Sequence, residues 1–206
     1  GVPLVATVHC IEAATINDRP WDKNLHRKFL KMKRSSVALR GGADAANLLV
    51  DRWRNYCGKA LQNSIGSGRT ISVVRKDCAA ARYVLGHEIG HNIGLDHEMA
   101  KGGNKHYPYG HAHQISHSPD SESPKYRTIV GAGGKKSERP FRGNYYSNPD
   151  IIFPLTGTPT GVAGVSNNAR ILMENRFALA NIGDESTPCS LIGTIKCLNL
   201  FPLYYP

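Results

Sequence analysis

The sequence lacks any hydrophobic run approaching the roughly 18 residues needed to span a bilayer, so we expect no membrane span. Its start has no charged segment followed by an apolar one, and we expect that any targeting segment has been removed or excluded. It also contains no internal repeat and no pattern of a nucleic-acid-binding module. These absences exclude integral membrane classes, repeat architectures and specific nucleic-acid partners from our expectations.

Acidic residues are scarce relative to basic ones. The 206 residues include 26 Lys+Arg against 16 Asp+Glu, a formal net charge of +10. Such a charge favours contact with polyanionic matrix or glycan, although a merely solvated basic surface is the simpler interpretation. With 40% hydrophobic residues, the length suits one domain, or one domain split by a cleft into two lobes.

The sequence has five cysteines but no CxxC pair, which argues against a structural zinc knuckle. Cys189 and Cys197 close a short C-terminal loop, while Cys57 and Cys78 flank the segment before a histidine-rich motif. Both pairs resemble disulfides of an exported protein, so we expect a secreted, extracellular location. Cys10 is left over, and it is either a buried thiol or a bond to a partner chain.

Hydrophobic periodicity predicts a mixed α/β (α+β) chain. We expect strands at 3–11 and 68–77, helices at 22–40, 79–93 and 167–182, and either type at 46–53. The last helix carries apolar residues for packing at Ile171, Leu172, Phe177 and Leu179. Residues 99–164 show little periodicity, which is typical of functional loops.

Residues 87–98 read HEIGHNIGLDHE. On a helix, His87 and His91 project from the same face, and both can reach one ion at the zinc–nitrogen distance of about 2.0–2.1 Å. Glu88 lies beside them, close enough to act on a metal-bound water without being a ligand. Gly94 can adopt a positive φ, which would end the helix and turn the chain so that His97 supplies a third ligand.

Three histidine ligands leave a fourth position open for water, which is the pattern of a catalytic zinc site. Zinc lowers the pKa of its bound water from about 15.7 toward 7. Glu88 would take the proton of that water and deliver it to the departing amine. The motif therefore predicts zinc-dependent hydrolysis of a peptide bond; the alternative is a set of surface histidines without metal.

At this motif the chain resembles the metzincin metalloproteases. Further segments, in the same order, are similar to secreted endopeptidases of the reprolysin-like (adamalysin-type) group. They are YCGKA (56–60), SVVRKDC (72–78), YGHAH (109–113), KYRTIV (125–130), YYSNPDI (145–151), GTPTG (157–161) and NNARILMENR (167–176). The resemblance spans roughly residues 44–182.

The resemblance implies a single catalytic domain over residues 1–206 with two lobes. The N-lobe, about 1–95, would hold a twisted mixed sheet, helices and the zinc helix at the cleft floor, and the C-lobe, about 96–206, would be small and irregular. Residues 46–53 become a strand under this resemblance. It also implies a Cys57–Cys78 bridge and protein or peptide substrates. Under it, the zinc ligands are His87, His91 and His97, and the general base is Glu88.

The sequence departs from the family pattern in three respects. Val130 stands where the family has a methionine in a turn beneath the zinc, and valine is a shorter, β-branched apolar floor. Glu98 replaces the usual Asp, and Ala132 replaces the zinc-contacting tyrosine of astacins and serralysins. Only 86 residues precede His87, so either the N-lobe is abbreviated or its first strand and helix belong to a partner chain.

These departures motivate a second hypothesis from another class. Val130, the short N-lobe and Cys10 would suit a catalytically dormant metzincin fold that serves as a structural or binding component of a multichain assembly. Retention of the three histidines and Glu88 argues against it. A third hypothesis is a basic matrix- or glycan-binding module whose zinc is purely structural.

Other segments leave alternatives open. Four loop histidines could form a second metal site, although surface roles are commoner for His106, His111, His113 and His117. Tyr145 and Tyr146 either line the substrate cleft or pack. The basic loop GGKKSERPFRG (133–143) follows the turn at Val130, and it would either favour acidic substrates or simply be exposed.

Overall fold

The architecture comes from a computed structural model of the chain. It describes residues 24–34, 44–53, 56–65, 67, 69–99, 106–115, 126–132 and 140–180. The predicted strand at 3–11, Cys10 and the Cys189–Cys197 loop lie outside these residues. In the part described, no helix combines the length and the apolar character needed to cross a membrane.

The described residues form a mixed set of helices and strands, as the sequence predicts. The helices are α1 (Leu25–Arg34), α2 (Lys76–Ala79), α3 (Val84–Ile93) and α4 (Asn168–Ala180). The longer strands are β1 (Ala46–Val50), β2 (Gly58–Ala60) and β3 (Ile71–Arg75). Two-residue strands follow: β4 (Gln114–Ile115), β5 (Tyr126–Arg127), β6 (Phe141–Arg142), β7 (Ile152–Phe153) and β8 (Thr158–Pro159).

The first sheet has the strand order β1-β3-β2. Strand β3 pairs in parallel with β1 and antiparallel with β2, so Leu48 and Lys59 both lie opposite Val73. Residues 71–74 of β3 are all buried, which is typical of a central strand covered on both faces. The open choice at 46–53 is decided in favour of a strand, because β1 occupies 46–50.

Helix α1 lies against this sheet through one face. Leu25 and Phe29, four residues apart, pack with Trp53 and Val73 in one buried cluster. The opposite face exposes basic side chains at Arg27, Lys28 and Lys31. The helix predicted at 22–40 is confirmed for the ten residues of α1; residues 35–43 lie outside the described part.

The prediction of one continuous helix over 79–93 is wrong at its start. Helix α2 ends at Ala79, and Tyr83 has a left-handed backbone (φ 51°) before α3 begins at Val84. Alanines at 79–81 favour helix locally, but tertiary position overrides propensity. Cys78 is bonded to Cys57 beside the sheet, so the chain must change direction before α3 can run across it.

The C-terminal part is built from short pairings. One sheet has the order β4-β5-β6, and β7 pairs antiparallel with β8. Helix α4 confirms the helix predicted at 167–182, and Ile171 and Leu172 are buried in the core. The packing expected for Phe177 is wrong: it is 66% exposed. Phe177 comes six residues after Ile171, so its side chain is rotated about 240° around the helix axis from that of Ile171 and points away from the core.

A second buried cluster joins the two parts of the chain. Ile93 and Leu95 at the end of α3 pack against Ile129 and Val130. Ile171 of α4 completes this core from the other side. The histidine motif therefore lies between the three-stranded sheet and the C-terminal segments, held by apolar contacts on both sides.

The Cys57–Cys78 disulfide predicted from the sequence is present, with a Cα–Cα distance of 5.6 Å. It ties the residue before β2 to α2, and Cys78 is fully buried with Val74 and Val84. The bond thus closes the loop that contains β2 and β3 and holds the approach to α3 against the sheet.

Replacing both cysteines, as in Cys57→Ser/Cys78→Ser, should lower the free energy of unfolding by about 3 kcal/mol. The reason is that the bond closes a loop with a sequence separation of 21 residues, which restricts the unfolded chain. Urea unfolding followed by fluorescence measures the effect, with wild type alkylated without reduction as the control. An unchanged midpoint would contradict the stabilising role.

Candidate metal centre

The three motif histidines converge on one point. The Nε2 atom of His91 lies 3.1 Å from that of His87 and 3.0 Å from that of His97. The third separation, between His87 and His97, is 3.3 Å. The rings of His87 and His91 stand edge to face, with an interplanar angle of 85°. The predicted reversal after α3 therefore does bring residue 97 back to the helix face.

Hydrogen bonds on the far side of two rings settle which nitrogens carry protons. His87 Nδ1 lies 2.8 Å from the carbonyl oxygen of Ile129, and His91 Nδ1 lies 2.8 Å from that of Leu95. A carbonyl only accepts, so both Nδ1 atoms must donate. In the neutral rings both Nε2 atoms then carry lone pairs, and the 3.1 Å between them holds no proton.

Facing lone pairs at this distance are explained by a cation between them. A tetrahedral ion with zinc–nitrogen bonds of about 2.05 Å places its ligand nitrogens about 3.3 Å apart. The observed 3.0–3.3 Å separations match that spacing closely. Imidazole is also a preferred zinc ligand, and Nδ1–carbonyl bonds are the usual support behind such rings. The three histidines therefore form a zinc site.

The electrostatic surroundings keep these rings neutral. Burial, reinforced by the charges of His91 and Arg142, lowers the pKa of His87 well below its ordinary value. Burial and the neighbouring His97 lower the pKa of His91 to about 4. A ring must be unprotonated to bind a metal, so at neutral pH both are ready to do so.

Gly94 is required where the chain reverses. Its φ is 109°, a region that disfavours side chains, and its N–H donates to the carbonyls of Gly90 and His91. A Cβ atom here would lie 2.7 Å from Cε2 of Tyr107 and 3.0 Å from Oδ1 of Asn63. Both the backbone conformation and the close neighbours thus exclude other residues, as the sequence predicts for this turn.

His97 is positioned from the loop that carries it. Its N–H donates to Asp96 Oδ1 at 2.7 Å, and its carbonyl accepts a hydrogen bond of 3.0 Å from Nδ1 of His111. The backbone of Asp96 bonds in turn to Gly110 and Ala112. The YGHAH segment therefore acts as a brace for the third histidine, and His111 supports that residue through its backbone.

The loop histidines do not form a second metal site in the described residues. Across the described ranges, the only group of metal-ligating side chains close enough to share an ion is His87, His91 and His97. The Nδ1 atom of His113 lies 3.2 Å from Oγ of Ser166, and His106 is exposed. His117 falls outside the described residues.

The turn at Val130 packs against helix α3 and the residues that follow it. Val130 is fully buried, and one of its methyl carbons lies 3.2 Å from where a Cβ on Gly90 would be. Glu98 fastens the far end of this turn, because its Oε2 accepts a 3.1 Å hydrogen bond from the N–H of Ala132. The longer Glu thus connects the histidine loop to the turn.

Glu88 is 4% exposed and lies against strand β2. A Cβ on Gly58 would be only 2.5 Å from its Oε1, so the absence of a side chain there makes room for the carboxylate. Burial raises the pKa of Glu88 to about 8, and the positive charge of Arg142 opposes this shift. A bound divalent cation would favour the ionised form further.

Several residues that support the site were not singled out by the sequence analysis. Asn92 is fully buried, and its Nδ2 donates to the carbonyls of Leu61 and Ile71, fastening α3 to the sheet. Tyr146, for which the sequence left cleft lining or packing open, packs in the core, and its hydroxyl donates to the Gly86 carbonyl at 2.8 Å. Two sequence features could have indicated supporting residues. Asn92 is a polar residue inside an apolar helix, and Gly58 is a glycine at the start of a strand.

No family model matches the chain. It is similar to peptidyl-Asp metalloendopeptidases from two strains of Stenotrophomonas maltophilia, with 35% and 33% identity over 140 residues. Each alignment covers 67% of this chain and 31% of the relative. A peptidyl-Asp metalloendopeptidase of Xanthomonas campestris is 34% identical over 129 residues, and that alignment covers 61% of this chain and 28% of the relative. The chain thus spans about a third of the length of these relatives.

One chain in a solved structure of a chaperone–substrate complex aligns with 79% of this chain at 20% sequence identity. The alignment covers 23% of that other chain. Its TM-score is 0.49, a likeness too weak to bear on the fold.

The chain should bind one zinc ion at neutral pH, and His91→Ala should weaken binding by more than about 100-fold, because it removes a ligand. Metal content after dialysis against a weak chelator measures this, with the exposed His106→Ala as the matched histidine control. Full zinc in His91→Ala, or its loss in His106→Ala, would contradict the assigned site.

Proposed function

We propose that this chain is a zinc-dependent metalloendopeptidase that hydrolyses peptide bonds in proteins. The observation that carries the proposal is the cluster of three Nε2 atoms, together with the buried Glu88 that follows His87 on the same helix. The metalloendopeptidases at 33–35% identity support the same chemistry, although the chain corresponds to only part of them.

The coordination is open on one side. Among the described residues, no fourth His, Cys, Asp or Glu joins the three histidines within 4.8 Å. A structural zinc site normally closes with four protein ligands, whereas a catalytic site keeps one position for water or substrate. The purely structural zinc of a binding module is therefore the weaker interpretation.

Each residue of the site has a distinct part in the proposed reaction. The three histidines would hold a zinc ion, which would supply Lewis acidity to polarise a substrate carbonyl and to lower the pKa of a coordinated water. Glu88, adjacent to His87, accepts the proton of the attacking water and passes it to the departing amine nitrogen. His87 and His91 keep their orientation because their Nδ1–H groups remain bonded to the carbonyls of Ile129 and Leu95.

The packing around Val130 favours an active site over a dormant one. Val130 is fully buried and fills the space next to Gly90, so the shorter side chain is matched by close approach of the turn. The Nδ1–H of His87 still donates to the Ile129 carbonyl in this turn. A dormant scaffold has no chemical need for this support, for the three histidines or for Glu88.

The relatives are named for action at peptidyl-aspartate bonds. We extend that substrate class to this chain, so the preferred proteins would present an acidic residue next to the cleaved bond. The net charge of +10 suits such substrates, because it raises their local concentration. The Cys57–Cys78 bond and the further cysteines support action in an oxidising, extracellular environment.

Glu88→Gln should lower kcat/KM for casein cleavage by about 10²- to 10⁴-fold while zinc content stays at one per chain, because the base is lost and the ligands remain. Wild-type activity should disappear with a chelator and return with added zinc. Glu174→Gln, which removes an exposed carboxylate in a surface ion pair on α4, is the matched control.

Each other outcome points to a different function. Zinc bound without turnover in wild type and Glu88→Gln alike would contradict the enzyme and support the dormant scaffold. Casein cleavage that persists in Glu88→Gln would remove the proposed role of this carboxylate.

Gly58→Ala should reduce kcat/KM by more than about 10-fold, because the added methyl would displace the carboxylate of Glu88, the proposed proton acceptor. Zinc content should be unchanged, since the three atoms nearest to the added methyl all belong to Glu88 and none to a histidine. Lys59→Ala in the same strand, where the side chain is exposed, is the control. Equal activity of Gly58→Ala and wild type would show that the contact has no catalytic consequence.

A further inference from the structure

Two short series of contacts connect the Cys57–Cys78 disulfide to the metal centre. The first begins at Cys57, which directly precedes Gly58. A Cβ on Gly58 would lie 2.5 Å from Oε1 and 2.7 Å from Cγ of Glu88, so this backbone already lies against the buried carboxylate. A shift of the chain at Cys57 would therefore reach Glu88 through a single residue.

The second series of contacts begins at Cys78 and leads into the zinc helix. The carbonyl of Cys78 accepts a hydrogen bond of 3.3 Å from the N–H of Arg82, and the carbonyl of the next residue, Tyr83, accepts one of 3.0 Å. The donor to Tyr83 is the N–H of His87. Tyr83 has a left-handed backbone, with a φ of 51°, which costs free energy for a residue with a side chain. Such a backbone persists only where its surroundings hold it, and the disulfide fixes the residue from which this turn starts.

The two sulfur atoms differ in their access to solvent. Cys78 is 0% exposed and packs with Val74 and Val84, so a thiol from another molecule does not reach its sulfur. Cys57 is half-buried and directly precedes β2. Thiol–disulfide exchange requires a thiolate to attack one of the two sulfurs. In the folded protein that sulfur is therefore Sγ of Cys57.

Two positively charged side chains lie next to Sγ of Cys57. Nη1 of Arg82 is 3.8 Å from this sulfur, and Nη2 of Arg75 is 3.9 Å from it. The guanidinium of Arg75 also donates to Oδ2 of Asp77 at 2.9 Å, so one carboxylate offsets part of this charge. The balance of these three groups is positive. Positive charge beside a cysteine favours its thiolate form and so lowers the free energy of the reduced state.

We propose that Cys57 is an exchange site for a dithiol, and that reduction of the Cys57–Cys78 bond turns the metal centre into a less active form. The part of the inference that concerns activity rests on the proposed peptidase function. The exchange site itself rests on the unequal exposure of the two sulfurs and on the guanidiniums beside Cys57.

The exchange takes two steps and transfers two electrons. In the first step, one thiolate of the dithiol attacks Sγ of Cys57 and forms a mixed disulfide, while Cys78 leaves with the electron pair and takes a proton from water. In the second step, the other thiolate of the dithiol attacks its partner sulfur, and Cys57 leaves as a thiolate beside the two guanidiniums. Both cysteines are then reduced, and the dithiol is oxidised to a cyclic disulfide. A monothiol would be expelled again, because the buried Cys78 stays next to the mixed disulfide and attacks it.

Opening the bond removes the tie between the start of β2 and helix α2. Gly58 is then free to move away from Glu88, and the backbone at Tyr83 is free to leave its left-handed conformation. Both changes alter the placement of Glu88, whereas the hydrogen bonds behind the histidine rings come from the carbonyls of Ile129 and Leu95. We therefore expect the reduced protein to keep its zinc and to lose most of its activity.

The exchange site is tested on zinc-loaded protein without any peptide substrate. Native protein is reduced with dithiothreitol at about pH 8.5, the ordinary pKa of a thiol. Samples are quenched with acid and alkylated, and peptide mass spectrometry follows Cys57 and Cys78. We expect Arg82→Gln to slow reduction by about 5-fold, the effect of one charge about 4 Å from another in water. Arg82→Lys keeps the charge and should retain most of the wild-type rate.

Arg69→Gln is the matched control for loss of an exposed arginine. Arg69 precedes the first residue of β3, whereas the Cys57 carbonyl accepts from the N–H of Arg75 at the other end of that strand. The substitution lowers the net charge by the same amount but at a distance from the disulfide. Its reduction rate should equal that of wild type.

The effect on the metal centre is measured on wild type that has been reduced and freed from the dithiol. Its kcat/KM for casein should fall by more than about 10-fold, because Glu88 loses its defined position, and should return after oxidation with glutathione disulfide. Amide hydrogen exchange at residues 82–87 should become faster on reduction, whether or not the chain is a peptidase. Cys57→Ser/Cys78→Ser should have the low activity under both conditions, which excludes an effect of the other cysteines.

The outcomes separate this inference from the proposed function. A reduction rate that is unchanged in Arg82→Gln, or reduction only in denaturant, would overturn the exchange site. Full activity and unchanged hydrogen exchange with both cysteines reduced would overturn the control of the metal centre. A rate that depends on Arg82, together with reversible changes at residues 82–87, supports the inference. If oxidised wild type with zinc fails to cleave casein, the peptidase proposal falls, and the reduction rates and hydrogen exchange still decide the exchange site and its effect on the zinc helix.

Discussion

The metal centre depends on two hydrogen bonds that lie behind it. The carbonyls of Ile129 and Leu95 each receive an Nδ1–H, one from His87 and one from His91. These bonds set the tautomer, turn both Nε2 lone pairs inward and hold the rings where a cation can draw them together. Both acceptors come from turns, one at Val130 and one after Gly94. The zinc site is thus a product of backbone placement as much as of the histidines.

Close approach of backbones is the second constraint, and small residues make it feasible. Gly90 lets the turn at Val130 come to van der Waals contact with the helix, and Gly58 leaves space for the Glu88 carboxylate against β2. Both glycines lie in regular elements, where glycine usually weakens structure. Here the lost local stability is offset by the placement of a buried carboxylate and a packed turn. Valine at position 130, in place of the methionine of the resembled family, is compatible with this arrangement because the backbone at Gly90 is already close.

The third feature of the site is its distribution of titratable and charged groups. A neutral histidine cluster, a buried carboxylate and a half-buried guanidinium lie within one small region. In the proposed reaction the carboxylate is the proton acceptor, and the guanidinium connects the segment before α3 to the turn at Val130. The net charge of +10 would attract acidic proteins of the proposed substrate class.

The sequence by itself determined the three histidines, the adjoining glutamate, the glycine reversal and the Cys57–Cys78 bond, because each follows from short-range spacing or from a family pattern. Local periodicity also identified β3, α1 and α4. Only the tertiary structure decided that α3 starts at Val84, that Phe177 faces outward and that His111 braces the third histidine. It alone brought Gly58 to Glu88 and Arg142 to Arg82, just before the zinc helix. These pairs are 30 and 60 residues apart, and no local preference encodes which distant backbones will meet.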